Sequence, residues 1–352
     1  MQFDIDCHTT KQEQHEAKGT LVNVLYTFDN NYVQHAIASM VSICRTNSWD
    51  TALTFFVLAD SLTKDNLKIV KSLEEEFPCK VEVAEINGFM SQFESGFDTK
   101  GWNEVIMARL LMGRFLPASV MKVLYLDGDT IVRNSLKELW NTDLGDNCLG
   151  AVVEPTVDRA RMHTLGLERK PYFNSGILLV DLGLWRERHI EDKILALCAQ
   201  EGDKLVAGDQ DALNLVMNGE FQALSPTYNY SNSFYYYPYE LLVNLEKPAH
   251  FIEAPEFRAI QESPTIIHYL GEDRPWRKGT THRFALDYWE NVRMSPFAPY
   301  AREEEGWELY FKAWGAFNAL VKPFPRLRLQ IIQSLIPPFL RFRTRQRKKG
   351  GK

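Results

Sequence analysis

The chain has 352 residues, 45% of them hydrophobic and 24% charged, enough to bury a large core in one domain or two. Its 40 Lys and Arg against 46 Asp and Glu give a formal charge of −6, which excludes a dedicated nucleic-acid binder, for which a basic domain is expected. The balance is uneven: eleven Lys and Arg and no acidic residue follow Glu308, so residues 1–308 hold 29 basic against 46 acidic side chains.

Residues 1–20 are polar and form an N-terminal extension with neither the basic start nor the apolar stretch of a secretory signal. Leu21 to Tyr26 is a short β-branched run, followed by the polar turn Asp29-Asn30-Asn31 and helix-period spacing from Val33 to Cys44. The pattern repeats: a strand from Ala52 to Leu58, a helix from Ser61 to Glu76 with Ser61 as N-cap, and a strand from Lys80 to Ile86. Glu104 to Phe115 has helical spacing, and Met121 to Leu126 is a strand that stops at Asp127-Gly128-Asp129. Strands alternating with helices imply an α/β fold with a mostly parallel sheet covered on both faces. Ligands of such sheets bind beyond the carboxyl ends of the strands, which makes the loops at Asp29–Asn31 and Asp127–Asp129 walls of one site.

Further on come an apolar run from Gly176 to Leu182, helices near Ile190–Gln200 and Gln210–Met217, and a last strand, Thr265 to Leu270. The aromatic, Asn and Ser residues of Tyr228 to Tyr239 read as ill suited to a core and apt for stacking on a sugar. Helices are expected again at Phe284–Val292 and Gly306–Phe317, before a Pro-containing, cation-rich end. No run reaches the ~18 apolar residues of a membrane span. The five scattered cysteines, with no CxxC pair, fit a reduced, cytoplasmic setting.

Two carboxylates at i and i+2 after an apolar strand can share one divalent cation, which in turn can neutralise a diphosphate. Asp-Gly-Asp also makes ordinary turns, but the spelling LYLDGDTIV places Asp127 and Asp129 at a strand end facing a crevice. His268, closing the last strand, reads either as a core histidine bonded to a neighbour or as a third ligand in a set that suits Mn²⁺ as well as Mg²⁺. Gly271 would let backbone approach a phosphate, and Arg274 or Lys278 could neutralise it.

These pieces resemble glycosyltransferase family 8, most closely the bacterial lipopolysaccharide and lipooligosaccharide α-galactosyl- and α-glucosyltransferases. The resemblance rests on YTFDNNY from Tyr26, MARL from Met107, KVLYLDGDTIVRNSLKELWNTDLGDNCLGAV from Lys122, YFNSGILLVDLGLW from Tyr172, GDQDALN from Gly208 and HYLGEDRPW from His268. It implies a single glycosyltransferase-A-like, Rossmann-related sheet flanked by helices, with a catalytic domain over 21–280 and a helical basic region over 281–352. It also implies that Thr27, Asp29, Asn31 and Tyr32 hold the uracil and ribose of a UDP-sugar, and that Asp127, Asp129 and His268 bind Mn²⁺ (or Mg²⁺), with Gly128 between the two carboxylates. Arg109, Asn174, Ser175 and Asp209 would surround the donor sugar, Gln210 would lie at the anomeric carbon, and Gly271 and Arg274 would hold the diphosphate. Arg274 replaces the family's usual Lys, with Lys278 in reserve, and Glu154 stands where an acceptor-binding Asp is common.

The implied function is retaining transfer of galactose or glucose from a UDP-sugar to a saccharide acceptor, the lipopolysaccharide core or a related lipid-linked glycan. Asp209 is the better nucleophile of the 209–210 pair, but same-face attack with Gln210 stabilising positive charge is favoured. Alternatives are transfer to a protein-linked or self-attached glycan, a non-catalytic UDP-sugar-binding protein, and a phosphohydrolase of the haloacid dehalogenase type. The last fits poorly, since Thr130 directly follows the second Asp and Ile131 occupies the position where that motif has Thr. The tail interleaves apolar residues with cations and is expected to dock on an anionic membrane, holding the protein on the cytoplasmic face of the inner membrane. A cut near Val321 is expected to spare transfer to a soluble acceptor.

Overall fold

The computed structural model describes residues 20–47, 51–93, 99, 102–245 and 252–350. The N-terminal extension up to residue 19, with Cys7, lies outside the described residues.

Among the described residues, nine strands form two sheets. The strands β1 (Thr20–Asp29), β2 (Thr51–Asp60), β3 (Cys79–Glu85), β4 (Lys122–Leu126), β6 (Leu149–Val153), β7 (Phe173–Asp181) and β8 (Gln222–Ala223) make the large sheet, in the order β3-β2-β1-β4-β7-β6-β8. Only β7 runs against the others, pairing antiparallel with β4 and β6, so the sheet is mostly parallel, as the alternation of elements predicts. The apolar runs are continuous because each strand feeds two cores. Val24, Tyr26, Phe55, Val57, Leu124, Ile177 and Leu179 join one, while Leu25, Phe56, Leu58, Val123, Tyr125, Leu178 and Val180 join the other. Successive side chains point to opposite faces, so period 2 divides one apolar run between two buried layers.

A second, two-stranded sheet pairs β5 (Thr130–Val132) with β9 (Ile266–His268) antiparallel. It joins the chain just after Asp129 to the strand that ends in His268.

Three expectations need correction. The second helix starts at Lys64, not Ser61, and breaks into Lys64–Lys71 and Leu73–Glu76. Thr63 is its cap, accepting from the Asn66 N–H, and Ser61 sits at φ +56. Glu104–Leu111 winds as a 3₁₀ helix and becomes α-helical only over Met112–Phe115. The Tyr228–Tyr239 tract is not ill suited to a core: Tyr230, Phe234 and Tyr237 are core residues. Its polar atoms find partners inside, as when the Tyr236 hydroxyl donates to Asp273 and Trp314 Nε1 donates to the Tyr236 hydroxyl.

Beyond residue 280 the chain stays packed on the sheet domain. Helix Ala285–Arg293 lies against α1 (Val33–Thr46), and Phe284, Tyr288, Val292 and Leu329 belong to the core. The tail helix Pro325–Gly350 docks by its first turns: the buried Arg328 lies over the rings of Tyr236, Tyr237 and Trp314, and Gln333 Nε2 donates to the Thr156 carbonyl. A cut near Val321 would therefore remove core and cation–π contacts as well as the basic end. Among the described residues, no helix is long and apolar enough to cross a membrane.

Candidate active site

Three backbone hydrogen bonds bring the loop after β4 together with β7 and β9. The Asp127 N–H donates to Gly176 O at 2.8 Å, the Tyr269 N–H to Asp129 O at 2.9 Å, and the His268 N–H to Tyr230 O at 3.1 Å. Thr130 stands opposite His268 in the small sheet. One ligand atom each of Asp127, Asp129 and His268 then falls within 4.8 Å of the others.

The chemistry of this trio fits a divalent cation. His268 Nε2 lies 3.3 Å from Asp129 Oδ1 and 3.6 Å from Asp127 Oδ2, yet it is buried without a hydrogen-bond partner. An imidazole nitrogen and two carboxylates converging in this way are a donor set that suits a divalent cation between them. Gly176 lets the groups of the trio approach one another, since a Cβ there would collide with the His268 ring at Cε1 and come within 2.8 Å of Asp127 Oδ2.

Beside the trio lies a buried ionic cluster. Arg109, 3% exposed, reaches Asp127 Oδ1 at 2.7 Å and Asp209 Oδ2 at 3.3 Å, and donates to Ser175 O and Ile106 O. Burial alone would lower its pKa, but Asp127 and Asp209 raise it, so the guanidinium stays charged. Asp209 Oδ2 also accepts from the Ser175 hydroxyl at 2.8 Å. Burial raises the Asp209 carboxyl above its ordinary value, which Arg109 offsets only in part. Gln210 Oε1 accepts from the Ser175 N–H at 3.1 Å and its Nε2 donates to the Tyr172 hydroxyl at 3.3 Å. Asn174 Oδ1 accepts from the Gly176 N–H at 2.9 Å.

On the other side, Arg274 spans the site. It donates to the Tyr32 hydroxyl at 2.7 Å, lies 3.4 Å from Asp129 Oδ2, and closes its own loop on Gly271 O at 2.8 Å. Gly271 sits at φ +76, a conformation that favours glycine. The neighbouring acids are drawn off: Glu272 pairs with Arg277, and Asp273 accepts from Tyr236 and Thr280. Burial pushes the Tyr32 hydroxyl well above its ordinary pKa, leaving it a donor, to Asp129 Oδ2 at 3.2 Å. A Cβ on Gly128 would meet Tyr32 at 3.1 Å, so a glycine lets the two loops touch. Thr27 contacts the Tyr125 hydroxyl, which donates to Asp127 Oδ1. Asp29 accepts from the Asn31 N–H and from Asn103, while Asn31 is exposed.

His35 backs this wall, stacked on Trp276 at 3.8 Å and bonded to the Tyr288 hydroxyl at 2.7 Å. Burial, helped by Arg274, lowers its pKa to about 3. The unfolded chain binds a proton near pH 6.5 that the folded chain refuses, so stability falls as pH drops below 6.5 and continues to fall towards 3. Between pH 7 and pH 5 this group should cost about 2 kcal/mol. Urea unfolding at both pH values should show that loss in wild type and a shallower one in His35→Gln; equal slopes would refute the assignment.

Two expected residues stand apart from the trio. Glu154 is buried with Oε1 accepting from Thr156 and Ser233, on the side where Gln333 of the tail helix docks. Lys278 is 45% exposed and paired with Glu305 and Glu308. Sequence reasoning missed Gly176, Tyr172 and Asn229. Asn229 Oδ1 meets His268 Nδ1 at 2.9 Å and its Nδ2 donates to Asn174 Oδ1 at 2.9 Å; no spacing in the sequence relates these three.

The family model described as Glycosyl transferase family 8 matches residues 23–280. The lipopolysaccharide 1,2-glucosyltransferase of Escherichia coli is 28% identical over 305 residues, covering 84% of each chain. The lipopolysaccharide glucosyltransferase WaaO of Escherichia coli strain K12 is 26% identical over 280 residues, 78% of this chain and 76% of that one. A crystal structure of the galactosyltransferase LgtC with donor and acceptor sugar analogs superposes with a TM-score of 0.64 at 24% identity, covering 81% of this chain and 99% of that one. The fold is thus shared with LgtC, and the family match spans more than half of the sequence: the chain belongs to glycosyltransferase family 8 and is a glycosyltransferase.

Proposed function

We propose that this protein transfers galactose or glucose from a UDP-sugar to a saccharide of the lipopolysaccharide core or a related lipid-linked glycan, with retention of anomeric configuration. The observation that carries the reading is the orphaned His268 Nε2 facing Asp127 and Asp129. Mn²⁺ or Mg²⁺ held there by these three side chains would neutralise the charge that grows on a diphosphate leaving group. Arg274, held by the Tyr32 hydroxyl, adds a fixed cationic donor on the Gly271 side, where exposed backbone can meet phosphate. Thr27, Asp29 and Asn31 line the end of β1 as the nucleoside wall.

Arg109, Asn174, Ser175 and Asp209 bound the space for the hexose, and Gln210 lies where positive charge at the anomeric carbon would face an amide. The Asp209 oxygen bonded to Ser175 also faces Arg109, which favours same-face attack over a covalent intermediate on that carboxylate. The acceptor oxygen then bonds to the anomeric carbon on the face UDP leaves. The bond to the β-phosphate oxygen breaks with its electron pair, and the acceptor proton passes to a β-phosphate oxygen.

The decisive experiment incubates the protein with Mn²⁺ and UDP-galactose or UDP-glucose, with and without lipopolysaccharide core oligosaccharide. UDP release that depends on acceptor and stops with EDTA is expected. Acceptor-independent release, or none with either donor, would overturn the reading.

The same reading places the protein on the cytoplasmic face of the inner membrane. Leu320, Phe324, Leu335, Ile336 and Phe339 are exposed along the last two helices and the link between them, and six Lys and Arg lie from residue 341 to 349. Each cation near an anionic surface is worth about 1 kcal/mol. A chain ending at Leu340 retains Arg328, Leu329 and Gln333. It should lose most binding to phosphatidylglycerol vesicles while keeping transfer to a soluble acceptor. Undiminished vesicle binding would exclude the tail as the anchor.

A further inference from the structure

We propose that Asn229 is a positioning residue that fixes the tautomer of His268, leaving the Nε2 lone pair aimed at Asp127 and Asp129. The assignment follows from one backbone donor. The Gly176 N–H can only donate, and it reaches the side chain of Asn174 at 2.9 Å, so the accepting atom is the amide oxygen. Asn229 approaches that same oxygen at 2.9 Å and must present its NH₂. Its carbonyl oxygen is thereby turned to His268 Nδ1, 2.9 Å away, which must carry the ring proton. In the neutral ring the lone pair is then left on the second nitrogen.

Burial makes this chain of bonds decisive. Asn229 and His268 are each 1% exposed, so water offers neither of them an alternative partner. The backbone brackets Asn229 in place: Tyr230 pairs with Ile267, donating to Ile266 O at 2.9 Å and accepting from the His268 N–H at 3.1 Å. The tautomer is therefore built into the meeting of β9 with the Pro226–Asn229 turn, before any ligand arrives. Without Asn229, the ring could put its proton on Nε2 and bond a carboxylate, and the trio would lose its third lone pair. Groups of this kind, which hold a metal-binding imidazole in one tautomer, typically change metal affinity by 10–100-fold when removed.

This inference rests on the metal reading of the trio for its consequence, but its first test does not. Long-range ¹H–¹⁵N spectra of the metal-free protein should give His268 the Nδ1–H pattern in wild type and in Asn229→Asp, whose carboxylate still accepts. Asn229→Leu should lose that pattern. Mn²⁺ titration followed by electron paramagnetic resonance should then show affinity about 10–100-fold weaker in Asn229→Leu and much closer to wild type in Asn229→Asp. An unchanged His268 pattern in Asn229→Leu, or equal Mn²⁺ losses in both variants, would overturn the proposal. Failure of wild type to bind Mn²⁺, with the Nδ1–H pattern present, would instead remove the metal reading and leave the tautomer assignment standing.

Discussion

Asp129→Asn should abolish transfer, by ~10³-fold or more at saturating Mn²⁺, and should erase the stabilisation that Mn²⁺ gives the wild-type protein. Asparagine keeps the shape and still accepts from Tyr32 and Arg274 through its oxygen. Its NH₂, turned to His268, would donate to the orphaned Nε2 now 3.3 Å from Asp129 Oδ1. The partner gained by this buried lone pair offsets part of the charge lost beside Arg274, 3.4 Å from Asp129 Oδ2, so the metal-free variant should melt near the wild-type temperature. Asp127→Asn should also abolish transfer but behave differently on heating. Asp127 holds the buried Arg109 at 2.7 Å, and removing that charge leaves the guanidinium with Asp209 alone. A loss of about 1–3 kcal/mol is expected. Calorimetry of both variants with and without Mn²⁺, beside an assay of UDP release, separates the two effects. Activity within a few-fold of wild type in either variant would exclude the trio as the reacting centre.

That difference shows where the sequence is legible and where it is not. Asp127 and Asp129 can be read from nine letters, because an apolar strand ending in two carboxylates carries its own context. The alternation of elements likewise predicts the sheet, since each buried strand must be apolar on both sides. What the letters hide are contacts made by tertiary pairing. Arg109 has the look of a helix cation, and only the fold puts it between Asp127 and Asp209. Asn229 lies in an aromatic, polar tract whose composition suggests an exposed loop. Its burial depends on hydroxyls and amides satisfying one another across 38 to 79 residues of chain, as Thr227 does with Thr265 and Ser233 with Glu154. Periodicity does not report such pairs. The tail misleads in the opposite sense. Its charge suggests a detachable end, whereas Arg328 is a buried cation held by three aromatic rings.

Gly176→Ala should damage the site severely with a single added methyl. Strand residue Gly176 carries none of the positive-φ strain that usually marks a glycine; it is required because backbone and side chains meet there. The strand cannot retreat, for Ile177 is paired with Leu126 on one side and the Gly176 carbonyl accepts from the Asp127 N–H. Nor can the His268 ring move freely, being fixed through β9 and Asn229. The added Cβ would collide with the Cε1 edge of the His268 ring and come within 2.8 Å of Asp127 Oδ2, forcing apart two of the three side chains of the trio. Overpacking of this kind costs about 1–3 kcal/mol of stability, and displacing reacting groups by ~1 Å costs on the order of 100-fold in rate. Transfer should therefore fall by at least that factor, together with Mn²⁺ affinity. Cooling the assay to a temperature where the variant is fully folded tells damage to the site from simple unfolding: the deficit should persist. Recovery of wild-type turnover and Mn²⁺ affinity on cooling would mean that Gly176 serves the fold alone.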